Sequence, residues 1–464
     1  MTLRLHGPML MLVSSLGLCG CADSLGSQTS PPKWTTGFWC WHGYRDEAAW
    51  AKATPDALYF HAGSIRKSDD MRRYAPNAPA PRWFVSEELP ASLPPAREYW
   101  MVFREEQPGV PDLSAVPMLA QRISQILTTT RRWKLKVVGV QLDIDSPTGS
   151  LSRYADFLRE VRKRMPPGME ISITALLDWF RDGTSVADVV KETDEFVPQF
   201  YDVASTGSSE AWHAIAAKID AAQWAPRFNR FGKRYRIGIS TFGRARYVPK
   251  EDPSRSGYMG LRLWGDFTPF DIAGNPAFNL QASRSEANEL ALSYRPARKV
   301  RIGYNDFQPG DLVQFILSTP EAVRAAVEGA RRMGGNCGGA VFFRWPASNE
   351  NLVMHPDDVL VAAGLAPPER KAAGVEAVNG HCAAVSCVDL YLLNASAYAA
   401  KLIRYRIRSS VELEYFLPEQ NVPARMAGPS EIDMALPAYS GRSRILLGRV
   451  VTANRAAFRV EEEQ

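Results

Sequence analysis

The sequence predicts an α/β chain: a (β/α)8 TIM-like barrel with an insertion after strand 7, followed by a small C-terminal all-β sandwich domain. Three observations lead there. Across residues 35–364, eight β-rich runs alternate with helix-periodic stretches, the order that a closed parallel sheet requires. All 12 tryptophans lie between Trp34 and Trp345, so a boundary follows the barrel, with residues 365–375 as a Pro- and Ala-rich linker. Beyond it, residues 376–464 hold only short alternating runs between Asn, Ser, Pro and Gly clusters, as in a β-sandwich.

The N-terminus comes first. Arg4, the apolar stretch Met9 to Val13 with Leu16 and Leu18, and the small residues after it give residues 1–21 the layout of a secretory signal. Leu18-Cys19-Gly20-Cys21 resembles a bacterial lipobox, which implies a lipidated Cys21 and a tether over residues 22–34. An ordinary signal cut nearby, with Cys21 unmodified, is the alternative. The expected location is the bacterial cell envelope, lipid-anchored on the periplasmic face, with Ala22 favouring the outer over the inner membrane. No later apolar run reaches the ~20 residues of a membrane span.

The expected barrel strands are Gly37 to Gly43, Ala57 to Gly63, Tyr99 to Arg104, Val137 to Asp145, Glu170 to Asp178, Phe196 to Asp202, Arg236 to Phe242 and Gly339 to Trp345. Before the last of them, Thr319 as N-cap and Pro320 in the first turn open a helix that Gly334-Gly335 closes. Residues 247–305 are too long for a bare loop and read as an inserted subdomain, whose aromatics either roof the cleft or form its own core.

With Lys+Arg 55 against Asp+Glu 50 and no long basic run, the charge offers no footprint for nucleic acid. Cys382 and Cys387 are close enough in sequence to staple a short loop in an oxidising compartment. Cys40 and Cys337, on the first and last barrel strands, are either a pair or two buried thiols.

The fourth strand carries the chemistry. Its period of two sends Val138, Val140, Leu142 and Ile144 outward and Gln141, Asp143 and Asp145 toward the barrel axis. Two carboxylates on one face near the C-terminal end of a strand raise the pKa of at least one, so that it can act as an acid. A solvated pair capping the next helix is the structural alternative. Asp178 on the fifth strand and Gln199, Tyr201 and Asp202 at the end of the sixth are expected at the same rim. Arg344 and Trp345 end the eighth strand, with the Trp as a floor for a sugar face.

The stretch Gly139-Val-Gln-Leu-Asp-Ile-Asp145-Ser-Pro-Thr, with Ser172-Ile-Thr-Ala-Leu and Phe196-Val-Pro-Gln-Phe-Tyr-Asp202, resembles a bacterial domain-of-unknown-function family numbered 3142. More distantly, the fourth strand is similar to the Asp-x-Asp-x-Glu signature of chitinase-type glycoside hydrolases, the sixth to their Met-x-Tyr-Asp, and Gly338-Gly339 to Trp345 to their last strand. The departures are that Gln141 replaces the first Asp, Asp145 stands where those enzymes have the proton-donating Glu, and Phe343 falls at the usual distance of their Trp from the Gly pair. The resemblance implies Asp145 as general acid, Asp143 orienting a substrate N-acetyl group, and Tyr201 hydrogen-bonding the forming ring.

Two function classes follow. One is an envelope-anchored glycoside hydrolase acting on an amino-sugar-containing polysaccharide; the other is a glycan-binding or scaffold lipoprotein whose β-domain meets a partner the sequence leaves unnamed. A third, metal-assisted hydrolysis, is prompted by His42 and His61 opposite Asp145 and Asp178, but no His-x-His or His-Glu-x-x-His spacing is present. With no phosphate loop, dinucleotide loop or serine elbow either, no cofactor and no resident metal are expected.

Overall fold

The computed structural model describes residues 34–41, 54–67, 83–107, 109–201, 215–250, 269–272, 275–302, 305–347, 352–367, 372–380, 382, 386–393, 398–419, 422, 424–439 and 444–463. Eight parallel strands close on themselves: β1 Thr35–Cys40, β2 Ala57–Lys67, β3 Glu98–Glu105, β4 Val137–Asp143, β5 Glu170–Ala175, β6 Glu195–Pro198, β7 Arg234–Ser240 and β8 Cys337–Phe343. Because β1 pairs with both β2 and β8, the barrel has no open edge.

Alternation along the strands separates two cores. Phe38, Phe60, Phe103, Leu142, Ile173 and Phe342 join the layer between sheet and helices, while Trp39, Tyr59, Trp100, Val102, Val197 and Val341 fill the inside. Helix Val116–Arg132 buries Leu119, Ile123, Ile126 and Leu127, and helix Leu151–Arg164 buries Leu151, Tyr154, Leu158 and Val161, each a three-and-four spacing on one face. The second stops where Met165, held extended ahead of Pro166, leaves the helical region. Helix Pro320–Arg331 opens as its sequence signals, Thr319 Oγ1 accepting the Ala322 backbone N–H at 3.1 Å.

The lower inside of the barrel is ionic. Glu195, fully buried, accepts hydrogen bonds from the Tyr59 hydroxyl at 2.7 Å and the Ser172 hydroxyl at 3.2 Å. Its other oxygen lies 3.2 Å from Arg234 and 3.5 Å from Arg236. Arg236 also reaches Glu98 at 3.2 Å, so strands β3, β6 and β7 are joined by charge where side chains meet across the axis.

The insertion is an antiparallel sheet, in spatial order Phe278–Arg284, Leu290–Pro296, Leu312–Leu317 and Arg244–Val248. Of its aromatics, Phe278 goes into a core of its own with Tyr294, Phe307 and Phe315. The C-terminal region forms two four-stranded antiparallel sheets. They share one core, Leu390, Leu392, Phe416 and Leu447 from one and Tyr405, Ile407, Ile432 and Met434 from the other, which makes a sandwich.

Cys382 and Cys387 are disulfide-bonded, with their Cα atoms 6.2 Å apart. Cys40 and Cys337 are not joined to each other, and both are buried. The register that sets Phe38 beside Phe342 puts Cys40 at the C-terminal end of β1 and Cys337 at the beginning of β8, so they lie at opposite ends of the barrel. Among the described residues no helix is long and apolar enough to cross a membrane.

Candidate functional site

Asp143 is the last residue of β4 and sits at the C-terminal mouth of the barrel, only 8% exposed. Its Oδ1 accepts the Thr174 hydroxyl at 2.7 Å and faces the Gln199 amide at 3.5 Å, while Arg104 Nε stands 3.8 Å from Oδ2. Burial pushes this carboxyl above the usual carboxylate range, against the opposing pull of Arg104, Thr174 and His61. His61, on β2, lies 3.4 Å from Glu88; burial holds its imidazole below the usual range and the Glu88 charge works the other way.

Aromatic rings line this mouth. Trp41 packs against His61 at 5.0 Å between ring centres and lies beneath the Arg104 guanidinium at 5.5 Å. Tyr201 stacks on Phe343 at 4.7 Å with an interplanar angle of 11°, and Phe343 meets Trp41 at 6.2 Å and Phe242 at 5.2 Å. Gly238 on β7 makes the Tyr201 position possible: a Cβ there would come within 2.9 Å of the Tyr201 ring and 3.2 Å of Trp39. The site thus pairs one sequestered carboxyl with flat apolar faces.

The structure therefore brings together Asp143, Gln199 and His61, with Tyr201 in the adjoining aromatic cluster. Asp145 is placed differently from the expectation. β4 ends at Asp143 and the Ser146 N–H turns back to the Ile144 carbonyl at 2.8 Å, so the alternation stops and Asp145 is an exposed rim residue. Its charge is felt by Glu105 and by the buried Tyr154 hydroxyl. Glu105, the final residue of β3, belongs to the outward parity and is 7% exposed, with no well-aligned hydrogen bond to either carboxyl oxygen. Burial pushes its pKa up to about 8, the nearby Gln107 backbone N–H pulling only partly against this and the Asp145 charge adding to it.

Two expected contacts are corrected. Gln141 is fully buried below the mouth, its oxygen taking the Trp39 indole N–H at 2.6 Å and its amide donating to Ser172 at 3.0 Å, so it packs the barrel and does not face a ligand. Trp345 is 1% exposed and packs edge-on against Phe38 at 5.3 Å in the outer layer; Phe343, two residues earlier, takes the place at the mouth. Asp178 lies in a short 3-10 turn beyond β5 and accepts the Thr148 hydroxyl at 2.7 Å, tying the loops after β4 and β5 together. Arg344 is half-buried, its guanidinium 5.9 Å from the Phe343 ring centre. His42, Asp202 and Cys21 lie outside the described residues.

Sequence reasoning missed Trp41, Arg104 and Glu105, and it put Thr174 on the inward face of the fifth strand without giving it a role. Strand parity could have found one of them: Glu98, Trp100, Val102 and Arg104 share the inward face of β3. Among the described residues no three His, Cys, Asp or Glu side chains converge as metal ligands.

The fold and the mouth define a TIM-like barrel carrying a C-terminal β-sandwich. The family model described as a domain of unknown function (DUF3142) matches residues 100–257, from β3 into the insertion. No curated protein matches the chain. Among solved structures, the chain is similar to the spore cortex-lytic enzyme SleL of Bacillus cereus, with a TM-score of 0.44 and 12% identity over 72% of this chain and 75% of that one. It is similar also to a GH18 chitinase from Cycas revoluta, solved with allosamidin, with a TM-score of 0.41 and 14% identity over 71% and 98%. A class V chitinase from Nicotiana tobaccum gives a TM-score of 0.41 and 11% identity over 72% and 99%.

Proposed function

We propose that this protein is a glycoside hydrolase of the bacterial envelope, acting on an amino-sugar-containing polysaccharide through the carboxyls at the end of β4. The observation that carries this is Asp143: a carboxyl held nearly dry at the C-terminal mouth of a barrel and gripped by Thr174, at the same end as the clustered rings of Trp41, Tyr201 and Phe343. In this reading the exposed Asp145 donates the proton to the leaving oxygen. Asp143 orients the substrate's N-acetyl group, Tyr201 steadies the forming ring, and the aromatic rings hold the sugar faces. Asp145→Asn is expected to lower the release of new reducing ends from an amino-sugar polymer at least about 100-fold, the contribution of a positioned general acid. Release that persists in the variant would overturn the assignment.

The end of β4 at Asp143 favours a second reading, a glycan-binding lipoprotein, because Asp145 is then free of the strand's geometry. Glycan retention by wild type and Asp145→Asn alike, with no release by either, would establish it. The envelope location rests on the lipobox-like Leu18-Cys19-Gly20-Cys21. Cys21→Ser is expected to shift the protein from the membrane to the soluble fraction on cell fractionation; an unchanged distribution would remove the lipid anchor from this account.

A further inference from the structure

We propose that the barrel mouth selects glycans that carry carboxylate groups, with Arg104 as the residue that reads them. The inference rests on the glycan reading above and names its substrate class. Arg104 is the last inward-facing residue of β3, and half of its side chain is exposed. Its guanidinium lies 5.5 Å from the Trp41 ring centre, and its ion-pair neighbour, Asp143, stands at 3.8 Å, too far for a hydrogen bond. No hydrogen bond to another described residue occupies the planar fork, whose five donors match a carboxylate two at a time.

Two further arginines stand beside rings here. Arg344 lies 5.9 Å from the centre of Phe343, and Arg244 5.3 Å from that of Phe242. All three rings belong to, or pack against, the inner aromatic cluster that also holds Tyr201. Trp41 and Phe343, the half-buried rings among them, are thus bordered by guanidinium groups, which place positive charge beside a sugar seated at the mouth.

A neutral sugar seated on Trp41 would strip water from Arg104 and return nothing for it. A sugar carboxylate would restore that loss with a charge-assisted, two-pronged contact. Discrimination against the neutral chain therefore comes from the same residue that attracts the acidic one. Asp143, 3.8 Å from Arg104 Nε, orients the guanidinium beside Trp41 without saturating its donors.

The test is a tryptophan-fluorescence titration of the full mature chain with three sets of oligosaccharides of matched length: hyaluronan fragments, the same fragments carboxyl-reduced to neutral, and keratan sulfate fragments. Hyaluronan is expected to bind at least about tenfold more tightly than its reduced form, the share of one charge-assisted pair. Arg104→Gln should erase that ratio, acidic and neutral fragments then binding alike, and Arg104→Lys should keep part of it. Equal affinity for acidic and neutral chains, or a sulfated chain bound more tightly than hyaluronan, overturns carboxylate selection while leaving the glycan reading intact. Binding of none of the three overturns both. A ratio that survives Arg104→Gln moves the selection away from Arg104 and overturns its assignment, and thermal melting of the variants checks that they are folded.

Discussion

Replacing Glu195 by Ala is expected to destabilise the protein by about 3 to 5 kcal/mol, the usual consequence of stripping one partner from a buried ion pair. Glu195 is fully buried inside the barrel and has two arginines within 3.5 Å, one of them, Arg236, itself 4% exposed. Without the carboxylate, Arg236 keeps its positive charge in a place that water does not reach. The Tyr59 and Ser172 hydroxyls lose an acceptor at the same time. Glu195→Gln keeps the volume and an acceptor oxygen but not the charge, so its loss is expected to be smaller. Urea unfolding followed by tryptophan fluorescence checks both. An Ala variant within about 0.5 kcal/mol of wild type, the range of an ordinary surface change, would show that the interior charges balance without Glu195.

The second large effect is a dependence of stability on pH that traces to Glu105. Its carboxyl, buried and poorly hydrogen-bonded, titrates at about 8 in the folded chain against an ordinary value of 4.5. Between those two values the folded state holds a proton that the unfolded state has released. Stability therefore falls as pH rises through this window. The stabilisation is fully present below the unfolded pKa and is lost by the time pH passes the folded one, amounting to a few kcal/mol at most at about 1.4 kcal/mol per pKa unit. Glu105→Gln, which resembles the neutral acid, is expected to change stability little at pH 5 and to raise it relative to wild type at pH 9. Denaturant midpoints measured across that range decide it: wild-type and variant curves that run parallel from pH 5 to 9 would remove Glu105 as the source. Asp143 contributes in the same direction, since burial raises its carboxyl too.

Much of the site was legible because strands have a strict period. Parity alone placed Asp143 toward the axis and Leu142 in the outer core, and both are found there. Parity stops being informative where the strand does. One turn at Ser146 decides that Asp145 lies on the rim, and two residues past the end of β8 Trp345 enters the outer layer, which leaves Phe343 at the mouth. The residues that surround Asp143, namely Arg104, Thr174, Gln199 and His61, come from four other strands or strand ends, and no local pattern links them.

By itself the sequence determined the eight-stranded barrel, the insertion after β7, the all-β C-terminal region and the Cys382–Cys387 staple, because hydrophobic periodicity, helix caps and short-range spacing are properties of neighbouring residues. Only the tertiary structure decided that Cys40 and Cys337 stand at opposite ends of the barrel, that Gln141 is consumed by Trp39 and Ser172, and that Glu105 is sealed outside the sheet. Those outcomes depend on strand register and on which side chain fills the space across the axis. Register is a relation between segments far apart in the chain, and burial is set by all of them at once.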